Sequence, residues 1–231
     1  MRSEVLMLLG AYLLGSVPLV YALGKRRGVD LRTWKDKKVG GSALIEAGGK
    51  REGVIGAIGD AFKGIITAFV ARSFFDFNSW VVPAAGIAVI VGQCWPIFLR
   101  FKGGRGNTTT LGLAITLVPK ETILALISPL IGLLASGFPN LFTPNLNLKQ
   151  RFKFSLPRQS KGIPLGMLGT FTLLPLLCWF LGKPPSITLG FSAILLVILI
   201  RRLTAELRED WRRSTSKAKL LLNRFLYDRS S

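Results

Sequence analysis

Long apolar runs alternate along the chain with short, strongly basic stretches, and the runs have the length of bilayer-crossing helices rather than of buried core elements. Val5–Leu23 is the first, ended by Gly24-Lys25-Arg26-Arg27. A secretory leader carries its positive flank in front of the apolar stretch and ends in a small-x-small cleavage site. Neither holds here, so the run is read as a span. Val54–Phe75, Trp80–Leu99, Thr122–Gly137, Ile163–Gly182 and Ile187–Ile200 are further spans. Thr108–Val118 is a shorter one that covers about half a bilayer at ~1.5 Å per residue.

Basic residues set the number of crossings. Lys and Arg number 9 between Gly24 and Gly53, 3 between Arg100 and Asn107, 5 between Phe138 and Gly162, and 9 from Arg201 onward. A single crossing over Thr108–Gly137 would put the last two segments outside, against the positive-inside rule. A break at Pro119-Lys120-Glu121 restores all four to the cytoplasm. The prediction is an all-α, polytopic membrane helical bundle of about seven spans including one short helix, with the N-terminus outside and the C-terminus inside. Residues 1–202 form the membrane domain and 203–231 a basic cytoplasmic tail. In the tail Leu203, Leu207, Trp211, Leu220–Leu222, Phe225 and Leu226 are interleaved with Arg and Lys. That pattern fits an interfacial amphipathic helix on anionic lipid or a solvated helical tail. Asn140–Pro157 reads as an irregular loop, and no 20- to 50-residue repeat is visible.

Composition then narrows the chemistry. Over 231 residues the net charge is +19, yet 26 of the 31 basic residues fall in the four cytoplasmic segments. The excess is therefore topological, and nucleic-acid binding is not implied. There is no histidine. Ser-His-Asp hydrolysis, His-dependent zinc sites and acyl transfer by a His-Asp pair are thereby excluded. Cys94 and Cys178 each lie in an apolar run and read as buried thiols, which suggests neither a disulfide framework nor a thiolate metal cage. No metal or cofactor is indicated.

Three stretches can carry chemistry. Phe101-Lys102-Gly103-Gly104-Arg105-Gly106-Asn107-Thr108-Thr109-Thr110 joins three glycines, two cations and the start of a helix, the ingredients of a phosphate cradle, without the Walker spacing of a nucleotide hydrolase. A flexible positive-inside turn has the same composition. Asp60 and Lys63 share a face of the second span at i and i+3, with Lys63 about 14 Å into the helix. Charges there face a partner or a wet cavity, whether as a polar site or as an ion pair stapling helices. The first loop, with Asp30, Arg32, Val39-Gly40-Gly41-Ser42 and Gly48-Gly49-Lys50, is basic and glycine-rich and can wrap an anion. Gly15-Ser16-Val17-Pro18 marks a kink or packing notch in the first span, and Gln93 ends the third just ahead of the cradle.

The order of these motifs resembles the PlsY-type membrane glycerol-3-phosphate acyltransferases over most of the chain. The likeness rests on Gly15-Ser16-Val17-Pro18, Asp30-Leu31-Arg32, Val39-Gly40, Gly49-Lys50, Asp60-Ala61-Phe62-Lys63-Gly64, Gly92, Pro96 and Phe101–Gly106. Where that family has Gly-Ser-Gly-Asn, this chain has Lys35-Asp36-Lys37-Lys38. Ser42, Ala43, Glu46, Gln93 and Ala205 replace the family's Thr, Asn, Arg, His and Asn. The resemblance implies transfer of an acyl group from acyl phosphate to glycerol 3-phosphate, giving lysophosphatidic acid for phospholipid biosynthesis in a bacterial cell membrane. Lys102, Gly103, Gly104, Arg105 and Gly106 would hold one phosphate, and Arg32 and Lys50 the other. Lys63, Asp60 and Ser42 would act at the reacting centre. Two alternatives stand beside this: a member that binds phosphate-bearing lipid precursors without turnover, and a transporter or scaffold.

Overall fold

The computed structural model describes residues 2–34, 39–137, 162–213 and 216–228. The loop expected at Asn140–Pro157, the five basic residues between Phe138 and Gly162, and Lys35-Asp36-Lys37-Lys38 lie outside the described residues. Every regular element among the described residues is helical: α1 (Arg2–Ser16), α2 (Leu19–Arg26), α3 (Gly41–Glu46), α4 (Lys50–Phe74), α5 (Val81–Cys94), α6 (Asn107–Leu117), α7 (Pro119–Ala125), α8 (Ile127–Gly137), α9 (Gly162–Phe180), α10 (Pro185–Thr204), α11 (Leu207–Arg213) and α12 (Lys217–Tyr227). A 3-10 turn at Ile97–Leu99 extends α5. Five stretches, Arg2–Arg26, Lys50–Phe74, Val81–Leu99, Gly162–Phe180 and Pro185–Thr204, are long and apolar enough to cross a membrane.

Proline decides where the remaining helices stop. Val17-Pro18 separates α1 from α2 outright, so the kink expected there is a full break. The interruption expected at Pro119-Lys120-Glu121 falls instead at Val118, and those three residues open α7 with Pro119 at the first helical position, where a missing N–H costs nothing. Thr122–Gly137, expected as one span, is instead divided at Leu126. Pro129 has no N–H to return to Ala125, whose carbonyl accepts from the Thr170 hydroxyl at 3.2 Å. The tail also differs from the single amphipathic stretch expected. Glu206 turns left-handed at φ 54°, and Ser216 caps α12 by accepting from the Lys219 N–H.

Small residues fix the helix crossings. Gly15 of α1 lies against the Val89 carbonyl of α5, and Gly92 of α5 against the Tyr12 carbonyl of α1. Gly64 of α4 and Gly112 of α6 repeat this reciprocal contact through Thr109 and Ala61. Any side chain at these four positions would strike backbone, so glycine here lets helices pack at van der Waals distance in a solvent where the hydrophobic effect gives no drive. Outward-facing Leu6, Leu9, Phe69, Trp179 and Leu196 remain exposed, as lipid-facing positions require. The core runs through Val89, Ile90, Leu113, Phe171, Ile187 and Ile198. A second, smaller cluster of Val20, Leu31, Val39, Leu44 and Leu99 seats the first loop on the end of α5.

Candidate active site

The break in the first span exposes carbonyls that a helix would have used, and Lys63 takes them. Its Nζ donates to Val17 O at 2.5 Å and to the Gln93 side-chain oxygen at 2.7 Å, lies 2.9 Å from Asp60 Oδ1, and is 3.4 Å from Gly15 O. Asp60 and Lys63 are 2% and 3% exposed, which is tolerable inside a bilayer only because each charge meets the other and further polar partners. Gln93 closes the arrangement by donating from Nε2 to Asp60 Oδ2 at 2.8 Å. An ammonium has three protons, and all are taken up within the protein. Lys63 therefore contributes charge and shape to the site rather than a free donor.

Gln93 also reaches the glycine loop through its main chain. Its carbonyl accepts from the Gly104 N–H at 3.0 Å. Gly103 and Gly104 are demanded by close approach: a Cβ on Gly103 would strike Pro96 and the Gln93 carbonyl, and one on Gly104 would strike the Val39 carbonyl. The Gly104 N–H is therefore already committed to Gln93. The Gly103, Arg105 and Gly106 N–H groups have no partner among the described residues. Gly106, at φ 75°, turns the chain into α6, whose first amides carry no side-chain cap. Lys102 is exposed. Arg105 turns to the C-terminal segment, where its Nε donates to Asp228 Oδ1 at 2.7 Å.

In the first loop Arg32 is engaged. It donates from Nε and Nη2 to Asp30 at 3.2 and 3.0 Å and stacks on the Tyr21 ring at 4.8 Å. This fork holds the Asp30 carboxyl well below the usual carboxylate range, and the carboxylate in turn raises the Arg32 guanidinium. Ser42, at the start of α3, and Lys50, at the start of α4, are both exposed. A narrow cleft with room for about 10 Å³, a single water's worth, brings together Ser16, Pro18, Val39, Asp60, Gln93, Gly103 and Gly104. Lys102, Arg105, Arg32, Ser42 and Lys50 are not among its lining residues.

One residue that the sequence pattern did not single out for the site is central to it. Arg201, near the end of α10 and 8% exposed, donates from Nη2 to Gly103 O at 2.9 Å and from Nε to Gly104 O at 3.1 Å. It lies over the Trp95 ring at 5.5 Å. Holding these two carbonyls fixes the peptide planes of the loop. Its sequence signal was a charge pair directly after the last apolar run, Arg201-Arg202, which positive-inside counting absorbed.

A family model described as glycerol-3-phosphate acyltransferase matches residues 5–213. The chain belongs to the glycerol-3-phosphate acyltransferase family. Among its relatives, glycerol-3-phosphate acyltransferase 4 of Dehalococcoides mccartyi (strain CBDB1) is 32% identical over 226 residues, 97% of this chain and 88% of that one. The glycerol-3-phosphate acyltransferase of Rubrobacter xylanophilus is 35% identical over 156 residues, covering 68% of this chain and 78% of its own. The crystal structure of PlsY, an integral membrane glycerol 3-phosphate acyltransferase, in its glycerol 3-phosphate form superposes with a TM-score of 0.73 at 26% identity over 91% of each chain. Its lysophosphatidic acid form gives 0.71 at 25% identity over 98% of each. The family fold and the five apolar helices make this acyltransferase an integral, multi-pass membrane protein.

Proposed function

We propose that this acyltransferase moves an acyl group from acyl phosphate to a hydroxyl of glycerol 3-phosphate, giving lysophosphatidic acid and inorganic phosphate. The observation that carries this is the glycine loop at residues 102–106, held between the buried Asp60–Gln93–Lys63 network on one side and Arg201 on the other. Such bracing makes a preorganised anion seat: backbone N–H groups of Gly103, Arg105 and Gly106, the uncapped start of α6, and the Lys102 charge need not reorganise when a phosphate arrives. The first loop, pressed against Gly104 through Val39, carries Arg32, Lys50 and Ser42, which in this reading take the second phosphate. Reaching it requires the Arg32 fork to share its donors with Asp30.

In the step itself the hydroxyl oxygen attacks the acyl carbon, the carbon–oxygen bond to phosphate breaks, and the hydroxyl proton passes to a phosphate oxygen. With no imidazole in the chain and the Asp60 carboxylate held by Gln93 and Lys63, a substrate phosphate serves as the base. The donor carries its own leaving group, so positioning and electrostatic stabilisation supply the acceleration. Kinship with proteins crystallised in glycerol 3-phosphate and lysophosphatidic acid forms supports the substrate class. Kinship with bacterial acyltransferases supports placement in a bacterial cell membrane, and the charge distribution supports seven crossings, the N-terminus outside and the basic loops and C-terminus in the cytoplasm. The test is formation of lysophosphatidic acid by the purified protein in vesicles supplied with acyl phosphate and glycerol 3-phosphate. No product above background across lipid composition and pH defeats the proposal.

A further inference from the structure

The C-terminal segment reaches the glycine loop from outside the family-matched residues, which end at 213. Helix α12 is tied down by buried polar contacts rather than left loose. Arg202, fully buried, donates from Nη1 to Phe225 O at 3.2 Å and from Nη2 to Pro164 O at 3.1 Å, joining α12 to the start of α9. Arg224, 3% exposed, donates to Leu203 O at 3.1 Å and to Ala205 O, and pairs with Asp210. At the end of α12, Asp228 adopts φ 54° and its N–H returns to Arg224 O, which sets the direction of its side chain. That carboxylate accepts from Arg105 Nε at 2.7 Å, with the two side chains 14% and 9% exposed.

We propose that Asp228 is a positioning residue for the acyl transfer: it holds Arg105 through Nε and so leaves the two Nη groups for the phosphate of a substrate seated on the loop. No other hydrogen bond of the Arg105 side chain occurs among the described residues. A free arginine loses rotamer freedom when it captures an anion, and fixing it beforehand removes that loss from the binding step. A detachable strap that merely blocks Arg105 is disfavoured by the number of bonds that hold α12: undocking it would break the Arg202 bond to Phe225 O and the Arg224 bonds to Leu203 O and Ala205 O together. The inference rests on the reading of the loop as a phosphate seat.

Steady-state kinetics of the full chain in vesicles, with each substrate varied in turn, test it. Asp228→Asn is expected to raise one KM about ten-fold with kcat within about two-fold, the size of one lost charge-assisted contact. Asp228→Glu keeps the charge and recovers part of the loss; it replaces the Asn variant if that one fails to accumulate as a monodisperse species. In an Arg105→Ala background the Asn substitution adds nothing. The inference is overturned if both KM values stay put, if one falls as release of a strap would require, or if the same factor appears without Arg105. If Lys102→Ala leaves both KM values unchanged, the phosphate seat itself fails. If it raises KM while Asp228→Asn does not, only the role of Asp228 fails.

Discussion

Replacing Arg201 with methionine removes the brace behind the glycine loop while keeping apolar contact with Trp95. Two hydrogen bonds from a charged donor are lost, at 2.9 and 3.1 Å, and the Gly103 and Gly104 carbonyls are left without their partner. At about 1.5 kcal/mol or more for each such bond, the ordered loop loses about 3 kcal/mol against its disordered alternatives. About 3 kcal/mol corresponds to about two orders of magnitude in kcat/KM if the ordered loop is the form that meets the transition state. Arg201→Lys retains one donor and is expected to lose about ten-fold. The assay is lysophosphatidic acid formation at subsaturating substrate, with a detergent size-exclusion profile as the folding control. A folded Arg201→Met protein within about three-fold of wild type would refute the claim that a fixed loop geometry carries the rate.

Other expectations follow from the same contacts. Lys102→Ala, at an exposed site, should leave folding intact, raise KM for a phosphate substrate about ten-fold, and flatten its salt dependence, all read from kinetics at several ionic strengths. Lys63→Met strands the Asp60 carboxylate in the bilayer at a cost of about 3–5 kcal/mol, whereas Asp60→Asn combined with Lys63→Met should recover much of it; thermal unfolding in detergent ranks the pair, and equal losses would dismiss the ion pair as a stabiliser. Gly104→Ala should abolish turnover by driving a methyl group into the Val39 carbonyl, and an active variant would show that the two loops are free to separate. The Asp30–Arg32 clamp lowers the carboxyl, so its contribution is complete above the ordinary carboxylate range near pH 4 and fades only as pH falls below it. Between pH 6 and 8 no histidine titrates, and the acidic limb of kcat/KM should therefore track the second ionisation of a substrate phosphate near pH 6.

Much of this molecule is fixed by local sequence. Runs of apolar residues at bilayer length, proline breaks at Pro18 and Pro119, and the glycine pairs that admit close crossings are all properties of short segments, because a helix in lipid must satisfy its backbone within itself. The i, i+3 spacing of Asp60 and Lys63 likewise puts the two charges on one face of a helix whatever packs against it. Partners supplied by distant segments were not written there. Gln93 stands 30 residues from Lys63, Arg201 stands 97 residues from Gly104, and Asp228 stands 123 residues from Arg105. Nothing in the neighbourhood of a glycine loop says which far-off guanidinium will satisfy its carbonyls, or that one of its own cations will turn to a carboxylate at the other end of the chain. Those pairings are decided by how helices cross in three dimensions, since buried polar groups take whatever complementary atom the packing delivers and cannot remain alone.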